Sequence, residues 1–133
     1  MSRMKILIVD DSPAIIESLT DLLTHMRADE ATLFTATSTK EAMVQFDKHE
    51  PDLVFMDVKM PPGDGEKTAL QMIKLRPKVR LVVMTGLQRT APEVEALISA
   101  GAYEFLQKPL RVDRVQEIFR LIDQETKRLR RVS

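Results

Sequence analysis

Four short apolar runs of this chain end in residues able to do chemistry. Lys5–Val9 ends in Asp10-Asp11, Leu53–Met56 in Asp57, Arg80–Met84 in Thr85, and Tyr103–Leu106 leads to Lys108-Pro109. Three carboxylates brought together at about 4 Å would repel by roughly 4 kcal/mol per pair at an effective dielectric of about 20. Such a group either takes up protons or recruits a cation. Mg²⁺ meets that need with one or two carboxylates, waters and a phosphate oxygen as ligands. Lys108 adds a compact positive charge and Thr85 a neutral donor, which together suit a tetrahedral oxyanion. Phosphoryl transfer asks little more of a protein than positioning and charge neutralisation, and a carboxylate can itself be the nucleophile.

A single strand-end Asp is more often a helix cap than a reactive group, and Ser12 is already available as the cap after Asp10-Asp11. The set is harder to explain that way, because each member ends a successive core strand. The remaining strand, Thr32–Ala36, delivers only Thr37.

The elements that must position these residues alternate. Continuous apolar runs of strand length indicate strands buried on both faces, as in parallel sheets. Between them the apolar spacing is helical. Ser12 and Pro13 open the first helix, with Ile15, Ile16, Leu19, Leu22, Leu23 and Met26 inward. Ser38-Thr39-Lys40-Glu41 is a capping box for the second. The third runs from Glu66 to Leu75 and stops before Pro77, after a loop at Pro61-Pro62-Gly63-Asp64-Gly65. Thr90, Pro92 and Glu93 open the fourth. Val112 to Ile122 mark a fifth that runs into a basic tail. Five strands alternating with five helices predict an α/β fold with a doubly wound parallel sheet. In such sheets ligands bind beyond the carboxyl ends of the strands, where the strand order reverses.

The 133 residues suit one domain, with a core at about 5–122 and a basic helical tail over 123–133. Lys plus Arg and Asp plus Glu number 20 each, so net charge favours neither nucleic acid nor membrane. Lys127, Arg128, Arg130 and Arg131 read as a solvated helix end complementing the dipole. The chain has no Cys, which excludes disulfides and thiolate chemistry. No run approaches the roughly 20 apolar residues of a membrane span. With no signal-peptide profile, the expected compartment is the cytoplasm.

Four motifs in order and spacing carry a resemblance: Ile-Val-Asp10-Asp11-Ser, Met56-Asp57-Val-Lys-Met60-Pro61-Pro-Gly-Asp64-Gly65, Val-Met-Thr85-Gly86 and Phe105-Leu-Gln-Lys108-Pro109. From Lys5 to about Ile122 the chain resembles the receiver domains of two-component response regulators. The resemblance implies a flavodoxin-like strand order, 2-1-3-4-5. It implies Asp57 as phosphoacceptor, and Asp10, Asp11, Asp57 and the main-chain carbonyl of Lys59 as Mg²⁺ ligands. Thr85 and Lys108 correspond to the groups that contact phosphoryl oxygens, Thr85 and Phe105 to the switch positions, and Lys108-Pro109 to a cis bond. The implied partners are a histidine kinase or phosphotransfer protein, and an output protein or domain. The latter would dock on the fourth helix, fifth strand and fifth helix, about Glu93 to Ile122, with Leu110 among the contacts. Monomer and phosphorylation-dependent dimer are both compatible with it. No direct nucleic-acid contact and no enzymatic turnover beyond self-phosphorylation and slow autodephosphorylation are expected.

Phe105 lacks the hydroxyl of the frequent Tyr, so a switch there works by packing. Lys59 and Leu87 are expected to flank the approach of a hydrolytic water, with Lys59 able to reach a phosphate oxygen or point to solvent. A haloacid-dehalogenase-like phosphatase would want a second Asp two residues after the nucleophile, where this chain has Ser12 or Lys59. The run Gly63 to Thr68 brushes against a phosphate-loop pattern, but Glu66 separates Gly65 from Lys67. His25 and His49 lack paired ligands, and Met56, Met60, Met72 and Met84 read as fillers.

Overall fold

The computed structural model describes residues 3–27, 29–61 and 64–132; Pro62 and Gly63 of the expected loop lie outside the described residues. The strands are β1 (Met4–Val9), β2 (Ala31–Ala36), β3 (Leu53–Asp57), β4 (Arg80–Thr85) and β5 (Glu104–Gln107). The helices are α1 (Pro13–Arg27), α2 (Thr39–His49), α3 (Gly65–Leu75), α4 (Pro92–Ala100) and α5 (Val112–Val132). All strand pairs are parallel, and the order is β2-β1-β3-β4-β5. The fold is the expected flavodoxin-like one.

Side-chain alternation along the strands divides the core in two. Leu7, Val9, Val54, Met56, Leu81 and Val83 face one layer, which α2, α3 and α4 cover with residues such as Phe46, Met72 and Leu97. Ile6, Ile8, Phe55, Val82, Met84 and Leu106 face the other, against Leu19 and Leu23 of α1 and Val115, Ile118 and Phe119 of α5. The central strands are apolar on both faces for this reason, and their runs read as continuous rather than alternating.

Helix starts follow local chemistry. Ser38 Oγ accepts the Glu41 N–H at 3.1 Å, the first half of the capping box. The second half is displaced by one residue, since Glu41 Oε2 accepts from Thr37 N–H and Oγ1 rather than from Ser38. Asp64 caps α3 by accepting the Lys67 N–H at 3.0 Å, so that helix starts one residue before the expected Glu66. The α4 start at Pro92 has Ala91 as its cap residue and no side-chain bond, leaving Thr90 outside the helix.

The basic tail continues α5 without a break to Val132, and Lys127, Arg128, Arg130 and Arg131 are exposed. Ion pairs hold this helix to the body, among them Arg27 of α1 with Asp123 at 2.8 Å, Arg80 of β4 with Glu125 at 3.0 Å, and Arg114 with Glu104 of β5 at 3.6 Å. The Tyr103 hydroxyl also donates to Glu125 at 3.0 Å. Leu110, expected among the partner contacts, is partly buried and packs against the α1/α5 core.

Candidate functional site

Strand register brings the expected residues to one rim. Val9 of β1 pairs with Met56 of β3, so Asp10 and Asp57 follow side by side. Asp57 pairs with Met84, which places Thr85 one step further along β4. The Lys108 N–H donates to the Thr85 carbonyl at 2.8 Å, setting the Lys108-Pro109 turn, whose bond is cis, beside β4. Carboxylate oxygens of Asp10, Asp11 and Asp57 all lie within 4.8 Å of one another. Asp10 and Asp57 are buried and Asp11 is exposed at the mouth.

Every carboxylate oxygen of the two buried members has an assigned neighbour. Asp10 Oδ1 accepts the Ser12 N–H at 2.9 Å, and Asp57 Oδ1 accepts the Lys59 N–H at 3.0 Å. The Lys108 ammonium sits 2.7 Å from Asp10 Oδ2 and 3.2 Å from Asp57 Oδ2. The first of these is an ion pair without hydrogen-bond geometry, so Asp10 Oδ2 has no hydrogen bond of its own. One ammonium thus pairs with both buried carboxylates of the cluster.

The electrostatics show the shortfall. Burial raises the Asp57 carboxyl above its ordinary pKa; the Lys59 N–H opposes this, the Asp10 charge adds to it, and Lys108 offsets part. For Lys108, burial works against the charge, but Asp10 and Asp57 together outweigh it and leave its pKa raised. The protein groups by themselves therefore leave the site anionic. All-oxygen donors around a buried carboxylate oxygen that lacks a hydrogen bond fit a hard divalent cation such as Mg²⁺.

The model of the response regulator receiver domain matches residues 6–120. The chain belongs to this family. Phosphorylation signalling is the family's general function. The receiver is 33% identical over 113 residues to the chemotaxis protein CheY of Thermotoga maritima, covering 85% of this chain and 92% of that one. Among solved structures it is similar to a CheY-like receiver domain protein from Methanospirillum hungatei, with a TM-score of 0.82, 26% identity, and 96% and 99% of the two chains covered. It is also similar to a chain in the CheX–CheY–BeF₃–Mg²⁺ complex of Borrelia burgdorferi, with a TM-score of 0.79, 25% identity, and 90% and 88% covered. Two longer regulators are matched over only 26% and 25% of their length.

In this receiver Thr85 is buried, and its Oγ accepts the Leu87 N–H at 3.2 Å, leaving its own proton for an incoming oxygen. Phe105 is buried in the α2/α3/α4 core, where it packs with the layer that holds Val94 and Leu97. Leu87 packs partly buried against the same layer. Lys59 does not reach into the site: its ammonium pairs with Glu93 at the start of α4, 3.4 Å away. The sequence reading missed that partner, which lies 34 residues along the chain with no local spacing to signal it. His25 is exposed and His49 stacks on Phe34, and neither belongs to a metal-ligating group among the described residues. The four singled-out Met residues are buried, as fillers should be.

Gly65, the first residue of α3, approaches the acceptor strand very closely. A Cβ there would lie 2.7 Å from Val58 Cα and 2.8 Å from the Asp57 carbonyl oxygen, both backbone atoms. Gly65→Ala is expected to destabilise the fold by about 2 kcal/mol, since the end of β3 must move to admit one methyl group. Urea denaturation of the two proteins measures this, and an unchanged midpoint would mean that α3 yields instead.

Proposed function

We propose that this receiver takes a phosphoryl group from the phosphohistidine of a histidine kinase or phosphotransfer protein onto Asp57, in the presence of Mg²⁺. The observation that carries this reading is the rim cluster of Asp10, Asp11 and Asp57, whose two buried members share the Lys108 ammonium.

An Asp57 carboxylate oxygen attacks phosphorus in line with the leaving imidazole. A phosphorus–oxygen bond forms, the phosphorus–nitrogen bond breaks, and its electron pair remains on the imidazole nitrogen. Asp10, Asp11, Asp57 and the main-chain carbonyl of Lys59 would hold Mg²⁺, which supplies neutralising charge for the transferring oxygens. The Lys59 N–H and the Lys108 ammonium fix the orientation of the Asp57 carboxylate. The Lys108 ammonium and the Thr85 hydroxyl are the donors for the phosphoryl oxygens. The complex of the Borrelia relative, which holds beryllofluoride and Mg²⁺, supports the same use of this site.

The readout assigned to this chain is the α4–β5–α5 surface. Thr85 moves toward the phosphoryl group, and the β4–α4 loop and Phe105 repack with it, biasing that surface between two states. The whole chain, 1–133, works as one receiver unit with its core at 5–122. It functions in the cytoplasm as a monomer or phosphorylation-dependent dimer, without direct nucleic-acid contact. Its own chemistry is limited to accepting and slowly losing the phosphoryl group, so it is not an enzyme with turnover.

The test is incubation with acetyl phosphate and Mg²⁺, followed by intact mass and borohydride trapping with peptide mapping. The expected result is one phosphoryl group, at Asp57. Labelling of another residue, or rapid turnover of a generic phosphomonoester, would overturn the assignment.

A further inference from the structure

The β4–α4 segment is held on both sides by ion pairs that reach elsewhere. Arg89 meets Glu104 of β5 at 3.5 Å, and Glu104 also accepts the Phe105 N–H at 3.0 Å. On the other side Glu93, in the first turn of α4, meets Lys59 at 3.4 Å. Lys59 is two residues past Asp57, and its own N–H binds the Asp57 carboxylate. One residue therefore touches the acceptor through its backbone and α4 through its side chain.

The charge count gives that arrangement a consequence. Three carboxylates against the Lys108 ammonium leave two negative charges, which a divalent cation cancels. Replacing the single charge of Asp57 by the nearly two of an acyl phosphate leaves close to one negative charge without a partner. Lys108 is already shared between Asp10 and Asp57. Lys59 carries a flexible four-carbon stem, and its present partner is a half-exposed surface pair. Pairs of that kind are weak and readily exchanged.

We propose that the Lys59–Glu93 ion pair is a charge-gated tether. Glu93 is a positioning residue that holds Lys59 off the acceptor, and the added charge draws Lys59 to the phosphoryl group and frees the first turn of α4. This rests on Asp57 being the phosphoacceptor. It goes beyond that reading by giving α4 a specific release and by assigning Glu93 a part in the lifetime of the phosphorylated form. The α4 side is suited to release: the helix has nine residues, buries only Val94 and Leu97, and has no side-chain N-cap.

The experiment compares the parent chain 1–133 with Glu93→Gln, Lys59→Met and the double variant. Each is phosphorylated with acetyl phosphate and Mg²⁺, the donor is removed, and decay is followed. Amide hydrogen exchange of residues 93–97 is measured before and after phosphorylation. Glu93→Gln, which leaves Lys59 free, is expected to lengthen the lifetime about three-fold, the scale of an exposed ion pair. Lys59→Met should shorten it by a similar factor, and Glu93→Gln should then add nothing. Exchange in α4 should rise on phosphorylation of the parent and be already raised in unphosphorylated Glu93→Gln. A Glu93→Gln effect that is absent, or that persists without Lys59, would overturn the tether, as would α4 exchange indifferent to phosphorylation. A parent that takes up no phosphoryl group would overturn the acceptor reading and the tether together, whereas a labelled parent with unresponsive variants overturns the tether alone.

Discussion

Asp57→Asn is expected to abolish phosphorylation and, in the same protein without Mg²⁺, to raise the melting temperature. The two effects have one origin. The Asp57 carboxyl titrates above its ordinary pKa because burial and the neighbouring Asp10 disfavour its charge. A raised carboxyl pKa means that the ionised form weakens the fold. Stability from the protonated form is complete below the unfolded carboxylate pKa and is lost as pH rises through the raised folded one. At neutral pH the ionised carboxylate therefore carries a cost that the amide of the variant does not. For a chain of this length, relief of about 1 kcal/mol corresponds to a melting shift of about 3 °C. The advantage of the variant should vanish in acid, where Asp57 is protonated. It should also shrink with Mg²⁺, which stabilises the parent by mass action. Calorimetry at neutral and acid pH, with and without Mg²⁺, checks each sign. A metal-free Asp57→Asn protein less stable than the parent would mean that Lys108 fully compensates the site.

The opposite sign is expected for Lys108→Ala. Removing the ammonium leaves Asp10 and Asp57 facing each other, with Asp10 fully buried. Breaking a buried pair by deleting one partner is strongly destabilising because the other charge stays behind. Lys108 retains some solvent exposure, so the expected loss in metal-free protein is about 2 kcal/mol, below the range for a fully buried pair. Mg²⁺ should return much of it, since a cation replaces the missing charge. The discriminating quantity is the Mg²⁺-induced rise in melting temperature, which should be larger in the variant than in the parent. An equal or smaller rise would mean that the cation does not take over the charge that the ammonium supplies.

The rim and the sheet were legible because both rest on local signals. Strand-length apolar runs gave β1, β3 and β4 to within one residue, and the chemistry of those strands stands at their ends, where a reader of sequence looks. Helix starts were less visible where side chains compete. Asp64 reads as part of a turn and serves as the α3 cap, while Glu41 reaches past the expected Ser38 N–H to Thr37. Lys59 carried two open readings, toward a phosphate oxygen or toward solvent; its side chain is exposed and pairs with Glu93. Pairing with Glu93 depends on how the β3–α3 and β4–α4 loops approach one another, which only the folded sheet determines.

The division of the core into two layers means that the sheet acts as a bulkhead. Phe105 and α4 pack on one side, α1 and α5 on the other, and β5 is the edge strand where the two meet. A rearrangement of α4 alters packing in one compartment only. The α1/α5 compartment, closed by Phe55, Phe119 and the Arg27–Asp123 pair, can keep its shape throughout. A partner gripping α5 and α4 together would then sense a change in their spacing across a fixed wall, with one jaw stationary and the other moving.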